Sequence, residues 1–144
     1  MVINGPNLNL LGRREPGIYG TGTYPELVAM LETHAAALGA GLVCRQSNHE
    51  GDLVDWIQEA GEGYDGIVLN PAACTHTSVA LLDAVKAVGV PTVEVHISDV
   101  SKREAFRQVS YVGAACVATI KGRGFQGYLD AMDLLAQRVR VKST

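Results

Sequence analysis

The chain has 144 residues, 47% of them hydrophobic and 19% charged, and its length predicts one domain over residues 1–144. Twelve basic against fifteen acidic residues give a formal net charge of -3, which excludes the basic surplus of a nucleic-acid binder. No apolar run reaches the ~18–20 residues of a membrane span, and no signal-peptide pattern opens the chain, so a cytoplasmic protein is expected.

Val2-Ile3-Asn4 is a short apolar start. Gly5 to Gly22 follows as a polar loop with two glycine-rich turns, a length uncommon for a loop without a function. Thr23-x-x-Glu26 has the form of a capping box, with Pro25 in the first turn. Leu27, Val28, Leu31, Ala35 and Leu38 then recur at helical spacing until Gly39. Gly41 to Arg45 reads as a strand, Asp52 to Ala60 as a helix and Gly66 to Asn70 as a short apolar strand. Ser78 to Val88 predicts a helix stopped by Gly89, and Pro91 to Ile97 the next strand. Ser101-x-x-Glu104 has the form of a cap for one short turn. The apolar run Ala114 to Ile120 predicts a buried strand, and Phe125 to Val139 carry the stripe of a last helix.

Short, apolar, unalternating strands that alternate with helices predict a parallel sheet covered on both faces. The expected fold class is α/β: a doubly wound, flavodoxin-like, five-stranded parallel sheet of order 2-1-3-4-5. Such sheets bind ligands beyond the carboxyl ends of their strands. There the sequence collects Asn4 to Asn7, Gln46 to Glu50, Asn70 with Thr75 to Ser78, and His96 with Ser98. Side chains alternate along a strand, so Glu94, His96 and Ser98 share one face. A carboxylate two residues from an imidazole orients the ring and holds it protonated. The alternative is an edge strand with one wet face. In the 5–22 loop, a tyrosine near Arg13 and Arg14 could serve as a base, because nearby positive charge favours a phenolate, but composition alone favours a solvated loop with the tyrosine packed on the body.

Three scattered cysteines, Cys44, Cys74 and Cys116, fit reduced thiols rather than a disulfide framework or metal site. His49, His76 and His96 lack metal-ligand spacing. Gly122-x-Gly124-x-x-Gly127 matches the letters of a dinucleotide fingerprint, but it follows the last strand rather than the first. It reads as a tight strand-to-helix turn.

Asn4-Gly-Pro-Asn-Leu-Asn-Leu-Leu-Gly12, Arg14-Glu-Pro16, Tyr19-Gly20, Gln46-Ser-Asn-His-Glu-Gly51, Asn70-Pro71, Thr75-His-Thr-Ser-Val-Ala80, Val93-Glu-Val-His-Ile-Ser98 and Arg103-Glu-x-Phe-Arg107 together resemble type II 3-dehydroquinate dehydratase. The resemblance runs in order from Val2 to the final helix. It implies a lyase with no cofactor and no metal, in the shikimate route to aromatic amino acids or in quinate breakdown. Such an enzyme removes water from 3-dehydroquinate by anti elimination through an enolate, giving 3-dehydroshikimate. On the matched positions, Tyr19 would take the C2 proton, helped by Arg14 and Arg103. Asn7 would hold a water against the enolate oxygen. His96, oriented by Glu94, would protonate the departing C1 hydroxyl. Asn70, His76, Ser98 and Arg107, with backbone N–H groups of Ile97 and Ser98, would grip the substrate. Asp83 would come from a neighbouring chain, in a homo-oligomer of trimers assembling to a dodecamer.

Asp99, Gln108-Val109, Cys74, Lys121 and Arg123 depart from the family pattern. Two other readings remain. One is a dehydratase acting on an amino analogue of dehydroquinate. The other is a non-catalytic flavodoxin-like binding module, which the absence of acidic residues or a hydroxyl-rich loop after the first strand disfavours.

Overall fold

A computed structural model describes residues 1–13 and 15–143. Among them, β1 (Val2–Asn4), β2 (Cys44–Gln46), β3 (Ile67–Asn70), β4 (Thr92–His96) and β5 (Ala118–Lys121) form one sheet of order β2-β1-β3-β4-β5. Every pairing is parallel, so all five strands end along one edge. The helices are α1 (Pro16–Tyr19), α2 (Tyr24–Leu38), α3 (Glu50–Ala60), α4 (Val79–Val88) and α5 (Gln126–Ser143).

Strand alternation divides the core in two. Val2, Val68, Val93 and Val95 pack with Leu27, Leu31, Tyr128 and Leu135 of α2 and α5. Ile3, Ile67 and Leu69 pack with Leu53, Ile57, Leu81 and Val85 of α3 and α4. Each such buried aliphatic side chain contributes roughly 1.5–3 kcal/mol.

Local signals set the helix ends. The Thr23 hydroxyl accepts from the Glu26 N–H, and the Glu26 carboxylate accepts from the Thr23 N–H, which completes the capping box. Ser78 caps α4 through the Leu81 N–H at 3.0 Å. Gly39 and Gly89 end α2 and α4 in the left-handed conformation that favours glycine.

Four expectations need correction. The second strand starts at Cys44, not Gly41, because only Cys44 to Gln46 lie opposite the short β1. The 5–22 segment is structured: it holds a 3₁₀ turn at Leu8–Leu10 and the helix α1. Leu8 and Leu11 are buried there, and two leucines are too few to show a period. Asp99, not Ser101, caps the turn Val100–Lys102, since its side chain accepts the Ser101 N–H at 3.1 Å. The apolar run Ala114 to Ile120 splits into a 3₁₀ turn (Val112–Ala115) and β5. β5 is an edge strand with alternating half-buried and exposed residues. β4, by contrast, is interior and buried throughout, so the wet-edge alternative for Glu94 and His96 fails.

Candidate active site

The strand ends enclose a cleft of about 270 Å³. Tyr19, Asn70, His76, His96, Arg103 and Arg107 line it, with Asn7, Ile97 and Ser98. Nine of the residues singled out in sequence therefore meet at one place. Glu94 lies behind His96 and is fully buried. Asp83 is exposed on α4 and does not line the cleft. Arg14 lies outside the described residues.

The loops that carry these side chains approach closely. The Gly5 N–H donates to the Asn70 carbonyl at 2.8 Å. A Cβ on Gly5 would stand 2.5 Å from the Pro71 carbonyl oxygen, so only glycine lets the β1 and β3 ends meet. Asn7 is left-handed at φ 71, and its N–H donates to Asn48 Oδ1 at 3.0 Å. After β4, the turn at Gly122–Gly124 donates to the carbonyls of Ser98 and Ile97, both at 3.1 Å. The glycine-rich motif is thus a brace for the residues beyond His96. Gln108, one of the departures from the family pattern, ties the next loop together by donating to the carbonyls of Val100, Arg103 and Glu104 at 2.9, 3.2 and 3.3 Å.

His96 and Glu94 share the α3/α4 face of the sheet. His96 Nε2 donates to Glu94 Oε2 at 2.8 Å. Thr75 Oγ1 donates to the same oxygen. Ser110 Oγ lies 2.8 Å from Oε2 and 3.2 Å from Oε1, and Thr119 Oγ1 donates to Oε1 at 3.0 Å. Burial alone would raise the Glu94 carboxyl. The hydrogen bond and charge of His96, with the Thr75 and Ser110 hydroxyls, outweigh it and bring it down to about 2. Glu94 is therefore a buried carboxylate whose acceptor sites are filled. His76 lies beside His96, ring centroids 6.5 Å apart and nearly parallel. Its Nδ1 faces the Val109 carbonyl at 2.7 Å, which leaves Nε2 as the ring nitrogen open to another partner.

Tyr19 closes the other wall. Arg103 Nη1 donates to the Tyr19 hydroxyl at 2.6 Å, and the guanidinium carbon stands 5.4 Å from the ring centroid. Glu104 accepts from Arg107 Nε at 2.6 Å and lies 4.0 Å from Arg103 Nε. The cleft thus carries two guanidinium groups that can hold an anion. Among the described residues, no three His, Cys, Asp or Glu side chains gather into a metal-holding group.

Thr75, Ser110, Thr119 and Tyr128 belong to the site's support, and the sequence assigns none of them a role there. Thr119 had a signal, a lone polar residue in an apolar run. Ser110 reaches Glu94 only through tertiary folding.

A parallel α/β sheet with an acid–base cleft at its carboxyl edge defines a class of small-molecule enzymes. A family profile described as Dehydroquinase class II matches residues 1–136. The chain belongs to that family. It is 57% identical over 141 residues to a 3-dehydroquinate dehydratase of Acidovorax sp. (strain JS42), covering 94% of this chain and 95% of that one. It is 50% identical over 144 residues to a catabolic 3-dehydroquinase of Aspergillus clavatus, covering 100% and 96%. The crystal structure of a type II dehydroquinase from Butyrivibrio crossotus superposes with a TM-score of 0.92 at 48% identity, covering 93% of this chain and 94% of that one.

Proposed function

We propose that the protein dehydrates 3-dehydroquinate to 3-dehydroshikimate. Membership of the family and the names of its relatives support the reaction. One observation carries the assignment of roles: a cation sits on the tyrosine and an anion on the histidine across one cleft. These are opposite partners for opposite tasks.

Tyr19, as phenolate, takes the C2 proton. Arg103 stabilises negative charge on that oxygen through its hydrogen bond. The electron pair moves into an enolate at the C3 carbonyl, and Asn7 holds a water against the enolate oxygen. His96, as imidazolium, then protonates the C1 hydroxyl. The C1–O bond breaks, water leaves and a C1=C2 double bond forms. Glu94 accepts from Nε2, so the proton given comes from Nδ1. Arg107, with Asn70, His76, Ser98 and the backbone N–H groups of Ile97 and Ser98, grips the substrate's carboxylate and hydroxyls.

The product is a conjugated enone, so purified protein mixed with 3-dehydroquinate should show rising ultraviolet absorbance. Tyr19→Phe and His96→Ala should each slow the rise by about 10²-fold or more in a folded protein. A folded wild type that gives no absorbance change overturns the reading.

Asp83 of the partner subunit would complete the site in a homo-oligomer. Val79, Phe106 and Val109, at 51, 68 and 51% exposure, support such an assembly as apolar side chains open to a neighbour. Light scattering on the eluted protein tests it: a monomeric mass rejects the assembly.

A further inference from the structure

The site has a second buried polar network, on the opposite face of the sheet from Glu94. Asn4 ends β1 and Asn70 ends β3, and both side chains turn toward α5 and its Tyr128. The Ala72 N–H lies 3.1 Å from Asn70 Oδ1. Asn70 Nδ2 lies 2.7 Å from the Tyr128 hydroxyl. That hydroxyl lies 2.7 Å from Asn4 Oδ1. Asn4 Nδ2 lies 3.3 Å from the Arg45 carbonyl, 3.5 Å from the Tyr24 hydroxyl and 3.7 Å from Cys44 Sγ.

The polarity of this chain is fixed at both ends. A backbone N–H only donates, so the Asn70 atom facing Ala72 is the oxygen. Its NH₂ therefore faces Tyr128. A backbone carbonyl only accepts, so the Asn4 atom facing Arg45 is the nitrogen. Its oxygen therefore faces Tyr128. Tyr128 is wholly buried, and burial raises its phenol, so it carries one proton. That proton goes to Asn4, and the lone pair accepts from Asn70.

We infer that Tyr128 is a positioning residue: its hydroxyl fixes which way round the Asn70 amide is presented to substrate. Asn70 is only 2% exposed, so the atoms it shows to the cleft are set from behind. With both ends of the amide held, the second N–H and the second lone pair of Asn70 keep fixed directions for a substrate hydroxyl. This rests on the proposed function in taking Asn70 as a substrate contact. Tyr128 itself does not line the cleft.

Steady-state kinetics by enone absorbance test it, on wild type, Tyr128→Phe, Asn70→Ala and the double variant, each with a melting curve. Tyr128→Phe should raise KM about fivefold, the factor one neutral hydrogen bond is worth, with kcat kept within about twofold. Asn70→Ala should raise KM further. The double variant should match Asn70→Ala alone, because Tyr128 acts through that side chain. Tyr24→Phe, at the far end of the network, should leave KM unchanged. A merely structural Tyr128 would lower the melting temperature without touching KM, and that result overturns the inference. So does an additive double variant, or an equal rise in KM from Tyr24→Phe. Unchanged KM in Asn70→Ala overturns the substrate-contact reading and the inference with it. If Tyr128→Phe fails to fold, Asn4→Leu decides, since it keeps the hydroxyl and removes the acceptor of its proton. KM should then rise about threefold, and an unchanged KM overturns the inference.

Discussion

His96 and Tyr19 face one cleft from opposite kinds of support. His96 ends an interior strand buried throughout, and its partner carboxylate is held by Thr75, Ser110 and Thr119 from three other segments. Tyr19 ends a four-residue helix with no buried residue, and Arg103 donates to its hydroxyl across the cleft. The proposed acid is part of the core. The proposed base is carried on a short surface helix, held to the body chiefly by side-chain contacts. One cleft therefore sets a proton-transfer group built into the core against one mounted at the surface.

The largest test of this contrast pairs the two side chains. Tyr19→Phe and His96→Ala should each lower kcat about 10²–10⁴-fold, the usual worth of a positioned acid or base. Only His96→Ala should also lower stability. It removes a hydrogen bond to a buried carboxylate, about 2 kcal/mol, or roughly 4–8 °C in melting temperature. Equal melting losses in the two variants would erase the distinction.

Next come two glycines. A Cβ on Gly113 would stand 2.8 Å from Glu94 Oε1 and 3.0 Å from Ser110 Oγ, whereas one on Gly17 meets nothing within 4 Å. Gly113→Ala should cost about 1–3 kcal/mol in chemical denaturation and depress activity with it. Gly17→Ala should stay within about 0.5 kcal/mol.

The remaining test is a slope with pH. The Glu94 carboxyl falls from 4.5 to about 2 on folding. A lowered carboxyl stabilises the fold in full above its unfolded value and loses that contribution as pH falls through its folded value. Denaturation midpoints should therefore drop between pH 4.5 and pH 2. Glu94→Gln, which cannot titrate, should show a flatter slope there. Equal slopes would remove Glu94 from the acid response.

Period and punctuation made much of this legible. Thr23, Glu26, Ser78, Gly39 and Gly89 act over one helical turn, so a linear reading finds them. Glu94 and His96 were paired by the strand's period of two, and their bond lies across that spacing. The two short helical segments within 5–22 are below the length at which a period can be seen. The strand after Val112 was misplaced because apolar content cannot tell a 3₁₀ turn from a strand. Tyr128 reads as one more core residue of the α5 stripe, since hydropathy does not register where a hydroxyl points. Ser110 and Thr119 are separated from Glu94 by 16 and 25 residues, and only the packed fold brings them to it.

Glu94 binds together parts of the chain that lie far apart in sequence. Its donors sit on the segment after β3, on the loop before Val112 and on the edge strand β5. Until β5 docks and residues 110–113 close over it, the carboxylate has traded water for too few partners. Fraying of that edge thus leaves a charge stranded under a half-built roof. A molecule opened there would lose its orienting anion before the rest of the sheet came apart, so activity is expected to vanish ahead of global unfolding.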